Sequence, residues 1–148
     1  MELKNKKLFL LDMDGTLYLG DQLFSGTKAF LNHVKAAGGR YLFLTNNSSK
    51  SVSAYVEKLH SLGIPSKADD FFTSAQATIS YLKGKRYRLL YVLGTKSFLH
   101  QLRDAGLNVT TCIKEGIDCL VMGFDTELHF QKLEDACILL GKGIDYVA

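Results

Sequence analysis

Little in this 148-residue sequence ties it to a membrane, a disulfide scaffold or a nucleic acid. No apolar run approaches the ~20 residues of a spanning helix. The basic residues within 1–7 precede an apolar stretch, as in a signal peptide. Asp12 ends that stretch too soon for a signal sequence. Cysteine is scarce. Cys112, Cys119 and Cys137 are odd in number and match no C-x-x-C spacing, which excludes a disulfide framework or a zinc site and leaves buried or half-buried free thiols in a reducing compartment. The net charge is only +3, and basic residues are scattered, as in Lys83-Gly84-Lys85-Arg86. No nucleic-acid motif accompanies them. No fixed repeat and no low-complexity segment is present. The expectation is a cytoplasmic protein with no membrane or nucleic-acid partner.

What is present is a repeated grammar of short apolar run, polar tip and amphipathic segment. Leu8-Phe9-Leu10-Leu11 runs into Asp12-Met13-Asp14-Gly15-Thr16, the pattern of a buried strand whose C-terminal tip carries acids. Residues 17–24, with Gly20-Asp21, predict a turn or short flap. Ser25 is placed to cap a helix with Ala29, Phe30, Val34 and Ala37 inward, stopped at Gly38-Gly39. Tyr41-Leu42-Phe43-Leu44 then repeats the strand and ends in Thr45-Asn46-Asn47-Ser48-Ser49. Strand, helix and strand fit within about three dozen residues, as a βαβ crossover requires. The next helix has Ser48, Ser49 and Ser51 as candidate caps and Val52, Tyr55, Val56, Leu59 and Leu62 as its stripe. Gly63 ends it, and the only proline, Pro65, prevents its return. A short strand at 70–73 and a helix capped by Ser74 follow.

The polar stretch 83–88 is read as a domain boundary, giving domains 1–84 and 85–148. Beyond it the grammar restarts. Strands are expected at 89–93, 109–112, 119–122 and from 146. Helices are expected at 96–105 and around Phe130, Leu133, Ala136, Cys137 and Leu140. This alternation makes an α/β protein with a mostly parallel sheet. His33, His60, His100 and His129 share no spacing and are read as surface residues. Gly94-Thr95-Lys96-Ser97 lacks the glycine pattern of a P-loop and is read as a strand-to-helix turn.

Strand tips in open α/β sheets are where ligands bind. Asp12 and Asp14, at i and i+2, address one side if the chain stays extended. Two carboxylates so close repel, so a divalent cation or a retained proton is required. Either state is useful in catalysis. Gly15 lets the backbone turn tightly and approach an anion. Thr45 and Asn46, taken alone, are equally turn and cap residues.

Asp12-Met13-Asp14-Gly15-Thr16-Leu17 resembles the Asp-x-Asp-Gly-Thr-Leu signature of haloacid dehalogenase (HAD) superfamily phosphatases. Leu44-Thr45-Asn46-Asn47-Ser48-Ser49 is similar to the second motif of their NagD-like, 4-nitrophenylphosphatase-like branch (subfamily IIA, with a C2-type cap). Tyr18, Gly20-Asp21, Gly38-Gly39-Arg40-Tyr41, Thr73-Ser74-Ala75, Val92-Leu93-Gly94 and Val121-Met122-Gly123-Phe124-Asp125 agree in type and order. The resemblance implies a Rossmann-like core, incomplete here, followed by part of an inserted α/β cap. It implies Asp12 as nucleophile and Asp14 as proton donor, then base. Mg2+ would be held by the Asp12 carboxylate and the Asp14 carbonyl. Thr45, Asn46 and Asn47, with Gly15, would bind the phosphoryl group of a small phosphorylated metabolite.

The superfamily's later motifs, a lysine and a Gly-Asp-x-x-x-Thr-Asp-like acidic run, are not found. Asp69-Asp70, Asp125, Glu134-Asp135 and Asp145 all lack the context. The chain therefore reads as the N-terminal portion of such an enzyme. The alternative is a non-catalytic phosphate- or metal-binding or interaction module of the same fold. A receiver-like domain that only accepts a phosphoryl group at Asp12 is a third reading, disfavoured by the cap-like second half. Apolar surface left bare by an incomplete core invites self-association as a homo-oligomer.

Overall fold

Each apolar run that ends in a polar tip forms a parallel strand. The structure is a computed structural model and describes residues 5–148; residues 1–4 of the basic stretch lie outside the described residues. Contacts divide the chain into two compact units. One holds the residues up to Thr45 together with Val52–Thr73, the other Asn46–Ser51 together with Ser74–Ala148.

In the first unit, β1 (Leu8–Asp12), β4 (Arg40–Thr45) and β5 (Phe71–Thr73) form a parallel sheet in the order β1-β4-β5. Leu8 pairs with Arg40 and Asp12 with Leu44. The expected flap is a small antiparallel hairpin of β2 (Tyr18–Leu19) and β3 (Gln22–Leu23). Helix α1 (Thr27–Ala36) makes the crossover from β1 to β4, and α2 (Val52–Ser61) follows β4. Burial along β4 alternates, so Tyr41, Phe43 and Thr45 share the inner row. They meet Tyr55, Leu59 and Phe71 in an aromatic-rich core that also takes Met13, Leu17, Tyr18, Leu31 and Val34. The Phe43 and Phe71 rings lie 5.2 Å apart. Full burial of each such side chain is worth about 1.5–3 kcal/mol.

Two expectations for this unit are corrected. The first strand is not buried. Leu8 and Leu10 are 59% and 58% exposed, because β1 is an edge strand and only the Phe9 and Leu11 row is covered. Helix α1 turns Thr27, Leu31 and Val34 inward rather than Ala29, Phe30 and Ala37. Phe30 lies at the margin, edge-on to Phe9 at 5.5 Å. Gly26, at φ 87°, stands at the N-cap in place of Ser25, and the Thr27 hydroxyl donates to the Leu17 carbonyl at 2.9 Å.

The second unit has α3 (Ser74–Lys83), β6 (Leu90–Leu93), α4 (Lys96–Asp104), β7 (Val109–Thr110), β8 (Cys119–Met122), α5 (Phe130–Gly141) and β9 (Asp145–Val147). Its sheet is parallel, in the order β7-β6-β8-β9. All four residues of β6 are buried, as expected of a parallel strand packed on both faces. One cluster places Leu90, Val92, Cys119 and Val121 with Phe98 and Leu102; another places Tyr91, Leu93 and Leu120 with Ala136 and Leu139. Ala75 and Leu82 join the first of these. Compactness thus assigns α3 to the second unit, one helix ahead of the boundary read at 84/85.

Thr95 caps α4, its hydroxyl accepting from Phe98 N–H at 3.2 Å. This is the strand-to-helix turn expected of Gly94-Thr95-Lys96-Ser97. Helix α5 buries Asp135, Ala136 and Leu139, whereas Phe130 is 77% exposed and Leu133, Cys137 and Leu140 also face outward. The helix is apolar on both sides, so periodicity favours the greasier face. Asp135 is carried inward because Tyr91 donates to it at 2.8 Å and Gln131 at 2.9 Å. All three thiols are free. Cys119 is buried, but Cys112 and Cys137 are exposed, the first just beyond β7 and the second on the outer face of α5. The four histidines are exposed, as read. Among the described residues, no helix is long and apolar enough to cross a membrane.

Candidate active site

The tip of β1 is built by a turn that uses one carbonyl three times. Met13 C=O accepts from the N–H groups of Thr16 (3.2 Å), Leu17 (2.9 Å) and Tyr18 (3.4 Å). Met13 itself is fully buried while Asp12 and Asp14 on either side are exposed. The in-and-out alternation therefore continues past the last strand residue, Asp12. Gly15 sits at φ +78°, where a Cβ would be strained. Its N–H donates to the Tyr18 carbonyl at 2.8 Å.

Asp12 is tied through its side chain and Asp14 through its main chain. The Thr16 hydroxyl donates to Asp12 Oδ2 at 3.2 Å. Asp14 forms an isolated main-chain bridge with Tyr18. Burial, then the Asp14 charge, push the Tyr18 hydroxyl well above the ordinary tyrosine range, so it stays protonated. Lys58 of α2 lies over the Tyr18 ring, 5.5 Å from its centroid, and pairs with Asp21.

Thr45 ends the neighbouring strand, one residue beyond the Asp12–Leu44 pair. Parallel pairing thus brings Asp12 and Thr45 to the same edge of the sheet. Thr45 is buried as the last member of the inner row, and its hydroxyl donates to Tyr55 OH at 3.5 Å. Burial raises the Tyr55 hydroxyl above its usual range. Asn46 and Asn47 group with the second unit. There the Asn46 carbonyl accepts from the Ser74 hydroxyl at 3.0 Å. Asn47 Oδ1 accepts from Ser49 N–H at 2.9 Å and Ser49 OH at 2.6 Å, the local ties of a turn residue. Ser48 is buried, its hydroxyl accepting from Phe124 N–H at 2.8 Å.

Of the expected site residues, Asp12, Asp14, Gly15 and Thr45 therefore share one sheet edge of the first unit, and Asn46 and Asn47 continue the chain from it. Sequence reasoning did not assign the contact made by Tyr55. Tyr55 stood in the inward stripe of α2, but which group its hydroxyl meets is not encoded by periodicity. The concavity of about 620 Å³ in the first unit, lined by Lys35, Arg40, Lys67 and Asp70, opens at the N-terminal end of β4, opposite the acids.

The other carboxylates considered for a metal shell are engaged elsewhere. Asp125 pairs with Lys132 at 2.7 Å, Asp135 accepts from Tyr91, Asp145 accepts from Tyr87 at 2.9 Å, and Asp70 accepts from Lys67 N–H at 2.9 Å. Among the described residues, no group of three or more His, Cys, Asp or Glu side chains is placed to hold a metal. What the β1 tip offers is two carboxylates and backbone carbonyls. These hard oxygen donors fit a Mg2+ ion that keeps water and substrate ligands.

Residues 9–108 match the family described as haloacid dehalogenase-like hydrolase. The acid sugar phosphatase of Staphylococcus aureus is 31% identical over 147 residues, covering 99% of this chain and 56% of the relative. The crystal structure of 4-nitrophenylphosphatase from Thermotoga maritima superposes with a TM-score of 0.87 at 37% identity, covering 97% of this chain and 54% of that one. The glycerol phosphate phosphatase of Mycobacterium tuberculosis, solved with magnesium, matches with a TM-score of 0.83 at 25% identity over 95% of this chain and 43% of its own. The chain spans about half the length of the curated relatives it matches.

Proposed function

The chain belongs to the haloacid dehalogenase-like hydrolase family, and from that premise we propose that it supplies the nucleophile half of a magnesium-dependent phosphatase acting on a small phosphate monoester. The observation that carries this reading is the β1 tip. There two exposed carboxylates, Asp12 held by the Thr16 hydroxyl, sit at the C-terminal edge of a parallel sheet, beside a strand that ends in a buried threonine.

Asp12 attacks phosphorus and forms an aspartyl-phosphate. The Thr16 hydroxyl holds its Oδ2 and so fixes which oxygen is free to attack. Asp14 gives its proton to the departing alcohol oxygen as the P–O bond breaks, then takes a proton from the water that hydrolyses the intermediate. Gly15 lets the backbone approach the phosphoryl oxygens. Thr45, with Asn46 and Asn47 after it, lines the path of the phosphoryl group at a helix-proximal strand tip. The Asp12 carboxylate and Asp14 carbonyl would hold Mg2+, whose chemistry is to offset the charge between an anionic nucleophile and an anionic phosphate. The second unit is the first part of a cap that selects the substrate. Relatives described as acid sugar, glycerol phosphate and nitrophenyl phosphatases support a phosphomonoester substrate.

The test is hydrolysis of nitrophenyl phosphate with Mg2+. It is run on the 148-residue chain and on a longer chain in which the C-terminal half of a NagD-like relative follows it. Turnover that disappears in Asp12→Asn supports the reading. Absence of turnover in both chains overturns it and favours the binding-module alternative.

A further inference from the structure

Ser48 is among the serines expected to cap α2, but its hydroxyl is engaged elsewhere. It is 4% exposed and accepts from the Phe124 N–H at 2.8 Å, 76 residues along the chain and just beyond β8. The approach depends on residue 123 being glycine. A Cβ there would come within 2.6 Å of Ser48 Oγ and 3.1 Å of the Phe98 ring. Carbonyls on both sides of Ser48 are held as well. Ser74, the first residue of α3, donates its hydroxyl to that of Asn46 at 3.0 Å, and Thr95, the α4 cap, to that of Ser49 at 3.1 Å. All of these residues belong to the second unit. A segment that only joined β4 to α2 could leave such groups to water. Here they are tied to residues 28, 46 and 76 positions away.

We propose that Ser48 is a positioning residue for Asn46 and Asn47, the two residues before it, its buried hydroxyl fixing the loop that receives the phosphoryl group. This rests on the phosphatase reading above. A loop ordered before substrate arrives loses less conformational freedom on binding. The phosphoryl group is common to every phosphate monoester. The contribution of Ser48 therefore does not depend on the leaving alcohol, and it extends to inorganic phosphate, the product.

The experiment has two readouts. The first needs no turnover. Hydrogen exchange of the Phe124 amide, followed by NMR in the 148-residue chain without metal, should quicken about 10-fold in Ser48→Ala. Unchanged exchange overturns the contact, whatever the enzyme does. The second uses the chain that turns over. There Ser48→Ala should raise KM for nitrophenyl phosphate and for an alkyl phosphate, and Ki for inorganic phosphate, each about 10-fold, with kcat within about 2-fold. Thr95→Val should act in the same direction, and Thr95→Ser, which keeps the hydroxyl, should not. A merely structural role would lower Tm and leave KM and Ki unchanged well below it, and that result overturns the positioning claim. A KM rise confined to one leaving group overturns it too, because the effect would then lie outside the phosphoryl-binding loop. If wild-type protein shows no Asp12-dependent turnover at all, the phosphatase reading fails and this inference fails with it.

Discussion

The strands β1 and β6 have almost the same composition, Leu-Phe-Leu-Leu before Asp12 and Leu-Tyr-Val-Leu, yet opposite environments. In the second unit β6 lies inside a four-stranded sheet and every residue is buried. In the first unit β1 is an edge strand with alternate residues bare. An apolar run therefore tells that a strand forms, not how many of its faces are covered. Chemistry divides the same way. The first unit holds its acids exposed at a strand tip above an aromatic core. The second buries its polar groups in closed pairs, Tyr91 with Asp135 and Lys132 with Asp125. Exposed acids at a strand tip are open to a ligand; buried, paired ones suit a scaffold.

The contrast can be broken by mutation. Leu120→Ala in β8, a fully buried site, should cost about 2–5 kcal/mol. Leu10→Ala in β1 should stay within about 0.5 kcal/mol, as for a surface change. Denaturant midpoints of the two variants compare them directly, and equal costs would erase the distinction between the strands. Next, Tyr91→Phe removes a donor from buried Asp135 and should destabilise the second unit by about 1–3 kcal/mol. Phe130→Ala on the exposed face of the same helix should not. Thr95→Ala removes the α4 cap and should cost about 1 kcal/mol, read from the same unfolding curves.

The smallest effects are in pH. Burial pushes the Cys119 thiol up to about 11. A raised folded-state value means that its contribution is complete below the ordinary thiol range and declines as pH rises through about 11. Stability of the second unit should therefore fall in alkali, and less steeply in Cys119→Ala. At the acid end, the Arg88 side chain and then its N–H hold the Asp118 carboxyl below its usual value. That contribution is present above the usual carboxylate range and is lost as pH falls through the lowered value. Arg88→Ala should flatten only this acid limb.

Much of this was legible in the sequence. The strand at 119–122, the α2 stripe and its stop at Gly63, and the two polar tips needed only period and turn chemistry. The inner face of α1 was misread because that helix carries apolar residues on two sides, and the covered side depends on the sheet beneath. Asp135 was dismissed as a mid-helix acid, but a tyrosine 44 residues earlier draws it inward. The catalytic candidates were visible as a motif. What holds Asp12 was not, because the Thr16 hydroxyl meets its carboxylate only once the turn is built.

The most direct test of the central claim is a peptide mass map of the longer chain, acid-quenched during turnover of a phosphate monoester with Mg2+. The account predicts one added phosphoryl group on the peptide containing Asp12, absent in Asp12→Asn. Phosphate release with Asp12 unmodified, or a phosphoryl group on another residue, would contradict it.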